Sequence, residues 1–286
     1  MREEIQLVPV GDAELYVEDV GPLDAPVLIT VHGGPGGSSH AFRAFLGEEL
    51  ADYRVLYVDQ RGGGRSPRLP EDPRLFTVDA LVEDLEDLRH ALGIARWTPL
   101  AQGFGAVVAL EYARRFPGAV DGVVLIGPWV HFPWLLKRLW RGFTEAPFPE
   151  DPEEAAEALF AQVPVEEAFR RLAFPTAHGR MHYEWVQDGG LLVPEDTVLR
   201  MFAQNGLWRF DYTPYLLAHP HRPFVLVGDA DGTSYPEQAE AVADLAGGEM
   251  IVLEGAGHHP YVDDPEGFTR ALYRTLDAIH DFTEGS

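Results

Sequence analysis

The chain has 286 residues, 46% of them apolar, a formal net charge of −24 and no cysteine. Its length suits one large α/β domain, or a core domain carrying an insertion, and the apolar share can fill a substantial core. So acidic a surface repels phosphate backbones and anionic membranes, which argues against nucleic-acid and lipid partners, and a chain without cysteine forms no disulfide, thiolate or cysteine-held metal site.

Residues Ile5 to Val10 and Glu14 to Val20 alternate apolar and polar side chains around Gly11-Asp12, which predicts an antiparallel pair at a sheet edge. Val27 to Val31 is a continuous apolar run, the mark of a strand covered on both faces, and it ends in His32-Gly33-Gly34-Pro35-Gly36-Gly37. A helix is expected from about His40 to Leu50. Val55 to Val58 is a second buried strand, closed by Asp59-Gln60-Arg61-Gly62-Gly63-Gly64-Arg65-Ser66. Over Thr77 to Leu92 the leucines at 81, 85, 88 and 92 share one helical face, and Gly93 can cap the end. Trp97 to Gln102 then reads as a short strand turning sharply into a helix, Phe104 to Phe116, through Ala101-Gln102-Gly103-Phe104-Gly105. Val123 to Ile126 is the next strand, closed by Gly127-Pro128.

From Trp129 to about Thr213 no strand run appears. Helical patterns cover Glu153 to Ala161, Val165 to Leu172 and Glu195 to Gln204, with dense acids and Trp129, Trp134, Trp140, Trp185 and Trp208. These aromatics suit an apolar pocket wall and suit the packing of a small helical layer equally well. Strand logic resumes at Phe224 to Val227, ending in Gly228-Asp229-Ala230-Asp231. A helix, Pro236 to Ala246, a strand, Met250 to Leu253, the turn Gly255-Ala256-Gly257-His258-His259 and a last helix from Pro265 to Phe282 complete the chain. Strands alternating with helices predict a mostly parallel sheet flanked on both faces, with chemistry gathered at the carboxyl ends of the strands. The expected division is a core of 1–128 and 214–286 with a helical cap at 129–213.

Lys137 is the only lysine; with the many prolines it hints at a thermophilic source, and base-composition bias explains it as well. The N-terminus lacks a basic region followed by an apolar run, and no apolar stretch is long enough to span a bilayer. A cytoplasmic protein is therefore the expectation; oligomeric state is left open.

Asp231 and His258 close successive strands in the order acid, then histidine. A carboxylate that orients an imidazole makes it a competent general base. Asp229 stands near, but the Gly228-x-x-Asp231 spacing favours Asp231, and His259 is expected to support the base from behind. The glycines at 33–37 let backbone N–H groups approach a ligand closely. A dinucleotide loop is not supported, because Ser39 takes the place of the last glycine of G-x-G-x-x-G, and no Gly-Lys pair offers a phosphate loop. His219-Pro220-His221 forms no ligand set, so neither metal nor cofactor is expected. Asp59-Gln60-Arg61 is expected to be architectural, with Arg61 binding carbonyls and carboxylates near the 101–105 corner.

In this order, His32-Gly33-Gly34-Pro35-Gly36, Asp59-Gln60-Arg61-Gly62-x-Gly64-x-Ser66, the 101–105 corner, Gly228-x-x-Asp231 and Gly255-x-Gly257-His258 resemble the α/β-hydrolase fold, and in particular its prolyl iminopeptidase-like branch. The resemblance covers about 1–127 and 222–286. It implies a nucleophile elbow at the corner, an oxyanion hole made by the Gly34 and Phe104 N–H groups, and a helical cap over the site. It implies a small-molecule or short-peptide substrate, and the Tyr183-Glu184-Trp185 segment makes Glu184, with Trp185 beside it, a candidate for holding that substrate's amine.

The departure is Gly103, which stands where the family has its serine. Losing a triad's nucleophile costs on the order of a million-fold in turnover and leaves roughly a thousand-fold over water. Ser38 and Ser39 could stand in only from the wrong strand. Two readings follow: a hydrolase-derived enzyme in which His258 and Asp231 activate water, or remove a substrate proton, and a binding protein that kept the pocket and lost the chemistry.

Overall fold

The computed structural model describes residues 2–165, 167–168, 173–174, 176–177, 179–181 and 196–284. Eight strands form one sheet in the order β1-β2-β4-β3-β5-β6-β7-β8. The hairpin β1 (Glu3–Val10) and β2 (Ala13–Val20) turns at Gly11-Asp12 and joins β4 (Arg54–Asp59) antiparallel. The other pairings, through β3 (Val27–Val31), β5 (Thr98–Gln102), β6 (Val124–Ile126), β7 (Phe224–Gly228) and β8 (Glu249–Leu253), are parallel.

Period-two side-chain alternation divides the core into two layers. Ile29, Val31, Leu56, Val58, Ala101, Leu125 and Val225 face the layer that holds α2 (Val78–Ala91), α3 (Gly105–Arg115) and α8 (Glu237–Ala246). Leu28, Val55, Tyr57, Leu100, Val124 and Leu226 face α1 (His40–Leu46), α9 (Pro260–Asp263) and α10 (Pro265–Glu284). Thr77 caps α2 by accepting from the Ala80 N–H at 3.1 Å.

Two element expectations need correction. α1 stops at Leu46 rather than Leu50, where Gly47 weakens the helix and the chain continues as turns that still bury Leu50. A helix not expected from the sequence, α4 (Phe132–Phe143), follows β6 and buries Phe132, Leu135, Leu136, Leu139 and Trp140 along one face. Its apolar spacing of three and four residues is regular; Pro133 near its start disguises it, although proline is well tolerated there. Between β6 and β7 the described residues also hold α5 (Pro152–Phe160), α6 (Asp196–Gln204) and α7 (Thr213–Leu216), and no strand.

β3 lies between β4 and β5, so the chain leaves it towards one side and later returns on the other. That reversal opens a crevice at the carboxyl ends of β3 and β5. The His32–Gly37 loop and the 101–105 corner both rise there.

Candidate active site

At the corner between β5 and α3, Gly103 has φ +53°. A side chain in this left-handed region is strained, and glycine adopts it freely. The turn is held by the Gly103 N–H donating to Ile126 O at 3.1 Å and by the Trp129 N–H donating to Gly103 O at 3.0 Å. α3 starts hard against β3: a Cβ on Gly105 would lie 2.2 Å from Val31 O. The His32–Gly37 loop passes the corner closely, since a Cβ on Gly33 would come within 3.3 Å of Gln102 O. Among the described residues, neither the Gly34 nor the Phe104 N–H donates to a protein acceptor.

The structure brings Asp231 and His258 to this corner. His258 Nδ1 is 2.9 Å from Asp231 Oδ2. An ionised carboxylate only accepts, so in the neutral ring Nδ1 carries the proton, and no side chain or backbone group among the described residues bonds to the Nε2 lone pair. That Nε2 faces Gly103 and would lie 3.2 Å from a Cβ built there. Burial opposes the charge on Asp231. The adjacent imidazole, the Thr233 hydroxyl and the Thr233 N–H outweigh it and hold the carboxyl below 3.8. Asp229 is turned away and accepts from the Gly255 N–H at 2.7 Å. The loop carrying His258 is fixed at both backbone atoms: its N–H donates to Ala173 O at 3.0 Å, and its carbonyl accepts from Gln102 Nε2 at 2.9 Å.

His259 meets the His258 ring edge-on with centroids 5.2 Å apart and stacks on Phe174. Burial, with the neighbouring His258 adding to it, keeps His259 well below 6.5, so it stays neutral. Ser39 offers no substitute nucleophile, because its hydroxyl donates to Asp59 Oδ1 at 2.7 Å. Ser38 Oγ sits against the His40 N–H, while Ser66 and Ser234 donate to the carbonyls of Asp59 and Pro128. Asp59 ties the 32–37 and 59–66 loops together through Ser39 and Arg65. Arg61 binds a carbonyl and carboxylates as expected, but they are Leu75 O, Asp84 on α2 and Asp12 at the hairpin rather than groups at the corner. His219 and His221 bond to the carbonyls of Leu110 and Pro117. Among the described residues no group of three or more metal-binding side chains occurs. Glu184 and Trp185 lie outside the described residues.

Three contributors escape sequence reasoning. Trp129 stacks on His258 with ring centroids 5.0 Å apart and planes 15° apart. The Thr233 hydroxyl donates to Asp231 Oδ1 at 2.6 Å and lies 3.1 Å from His258 Nδ1. Gln102 accepts from the Tyr261 hydroxyl while holding the His258 carbonyl. Only Thr233 left a signal, since Asp-x-Thr is a common side-chain-capped turn. The described cap tryptophans divide by role: Trp140 and Trp208 are packing residues against Phe148 and Phe160, Trp134 is partly exposed on His131, and among them only Trp129 touches the dyad.

A model of the α/β-hydrolase fold matches residues 26–265. The crystal structure of a proline iminopeptidase-related protein from Thermus thermophilus is 52% identical, covers 98% of this chain and 99% of its own, and superposes with a TM-score of 0.92. A proline iminopeptidase from Pestalotiopsis fici is 26% identical over 91% of this chain and 94% of its own length. A proline iminopeptidase structure from Mycobacterium smegmatis, at 21% identity, 96% and 98% coverage and a TM-score of 0.75, shares the fold. No helix among the described residues is long and apolar enough to cross a membrane.

Proposed function

The chain belongs to the α/β-hydrolase-fold family, among its proline iminopeptidase-related proteins, and from that premise we propose that it hydrolyses small acyl compounds or short peptides with water in place of a serine. The proposed layout is a core of 1–128 and 214–286 beneath a helical cap, 129–213. The observation that carries the reading is the His258 Nε2, without a partner among the described residues and 3.2 Å from where a Cβ on Gly103 would stand, with Asp231 on the ring's other nitrogen.

The volume of a serine side chain is about that of one water. A water there gives its proton to His258 Nε2 while its oxygen attacks the acyl carbon. The Gly34 and Phe104 N–H groups receive the resulting oxyanion. Collapse breaks the bond to the leaving group, which takes the proton from Nε2, and the acid and the alcohol or amine depart. Asp231 stays ionised throughout and balances the imidazolium. Without an acyl-enzyme stage the reaction suits activated esters better than amides.

Purified protein is expected to cleave p-nitrophenyl esters above background, and His258→Ala is expected to abolish that rate. Equal rates in the two proteins end the proposal. Gly103→Ser needs His258 to yield by a few tenths of an ångström, and is expected to raise turnover on prolyl arylamides by about a hundredfold or more. The absence of a described hydroxyl bonded to Nε2 supports a second reading, a binding protein without turnover. A ligand that raises the melting temperature and is recovered unchanged selects it.

A further inference from the structure

In a serine triad the imidazole is pinned at both nitrogens, by the acid on one side and by the serine hydroxyl on the other. Here position 103 offers no hydroxyl, so the bond to Asp231 alone leaves the ring free to tilt about that contact. We propose that Trp129 supplies the missing restraint: it is a positioning residue whose indole face keeps His258 Nε2 turned towards Gly103. This rests on the water-mediated reading above only where turnover is measured.

The indole is anchored at both ends of the site. Its backbone N–H donates to Gly103 O at 3.0 Å, and its Nε1–H donates to the Thr233 hydroxyl at 2.9 Å. That second bond occupies a lone pair of Thr233, so the hydroxyl proton goes to Asp231 Oδ1, 2.6 Å away. One side chain therefore fixes the plane of the base and the proton donor to the acid. The stack is close and nearly parallel, with planes 15° apart. The same indole lies 3.5 Å from the place of a Cβ on Gly103, so it also bounds the space in which a water would be held. Its next neighbours are fastened as well, because the Val130 and His131 N–H groups both donate to Gln238 Oε1, at 2.8 and 2.9 Å. As His258 takes a proton, the negative face of the indole stabilises the charge that develops over it.

The test compares wild type, Trp129→Phe, Trp129→Leu, Gly103→Ser and Gly103→Ser/Trp129→Leu. Two measurements are made: ester hydrolysis, and the ring 15N and 1H resonances of His258, assigned by their loss in His258→Ala. Trp129→Leu is expected to lower kcat about tenfold with KM within about twofold, and Trp129→Phe, which restores a stacking face, to recover most of the loss. In the leucine variant the ring signals should lose the ring-current shift of the indole and broaden as the ring tilts, while Asp231 still holds the Nδ1–H. In the Gly103→Ser background, where a hydroxyl pins Nε2, the leucine change should cost less than about threefold.

Ring signals and kcat unchanged in Trp129→Leu overturn the proposal, as does a phenylalanine variant no better than leucine. If no protein turns over substrate, the hydrolytic reading fails while the ring signals still decide the positioning role. If Trp129→Leu does not fold, wild type decides: cross-relaxation between the His258 ring protons and the Trp129 indole, with a single tautomer, is required, and its absence refutes the role.

Discussion

Gly105 and Gly118 differ by their surroundings rather than by their residue type. A Cβ on Gly105 would meet Val31 O at 2.2 Å and His32 O at 2.7 Å, both of them backbone atoms that cannot turn aside. Gly105→Ala must push α3 off β3, so it is expected to lose roughly 3 kcal/mol in urea unfolding, at the upper end of overpacking costs. Nothing lies within 4 Å of a Cβ on Gly118. Gly118→Ala should gain about 0.5 kcal/mol by narrowing the unfolded ensemble. Equal effects in the two variants would show that α3 is not seated on the strand end as described. The clustering of small residues at the corner was legible in the sequence. Which glycine is required by a close contact was not, since that depends on the carbonyls of Val31 and His32, more than 70 positions away.

The segment leaving β6 is held by α8, and the bond runs through a side chain that looks unremarkable in sequence. Gln238 is buried; its Oε1 accepts from the Val130 and His131 N–H groups, and its Nε2 donates to Thr233 O at 2.9 Å. Gln238→Leu strands the buried Val130 N–H, the partly buried His131 N–H and one carbonyl, so a loss of about 3 kcal/mol is expected on unfolding. Since the same segment carries Trp129, the variant should also lose ester hydrolysis beyond what its stability explains at low temperature. A variant unfolding like wild type would contradict the buried network. The period of the apolar residues reveals α8 as a helix and says nothing of Gln238, whose two donors lie more than 100 positions earlier. For α4 the lesson is reversed. Its face of Phe132, Leu135, Leu136, Leu139 and Trp140 was fully present in the sequence, with Pro133 placed where a proline favours a first turn. The ends of β3, β5, β7 and β8 were legible because apolar runs there stop at glycine-rich turns, and Asp231 and His258 follow from their order. The stack over His258 was not, because nothing local to Trp129 distinguishes it from the packing tryptophans.

For the whole molecule, stability should fall towards acid in two stages with different causes. His32 is fully enclosed. Burial, against the pull of Asp59, holds it below 6.5, and its ring already accepts from the Gln60 N–H at 2.9 Å while lying 2.8 Å from Gly33 O. Burial likewise keeps His259 neutral. An unfolded chain takes up protons at these residues below about pH 6.5 and the folded one does not, so stability is intact above 6.5 and declines beneath it. Each such histidine contributes a slope of up to about 1.4 kcal/mol per pH unit. The second stage belongs to Asp59 and Asp231. Burial opposes their charge, yet Arg65 and the donors around Asp59, and His258 and Thr233 around Asp231, hold both below 3.8. Their contribution is present above 3.8 and disappears as the pH falls through the folded values. Urea midpoints measured from pH 8 to pH 3 should therefore drop first near 6.5 and again below about 4. His259→Phe preserves a ring against Phe174 and removes one of the early protons, so its midpoint should slope less between about pH 6.5 and 5 than that of wild type. The net charge of −24 adds a test that separates the pairs from the surface. Salt screens exposed repulsion and leaves enclosed groups nearly untouched. Raising the salt should lift the curve most at pH 8, where the net charge is large, and least near the isoelectric point of about 4.7, without moving either break; a break that moved with salt would assign it to surface carboxylates instead.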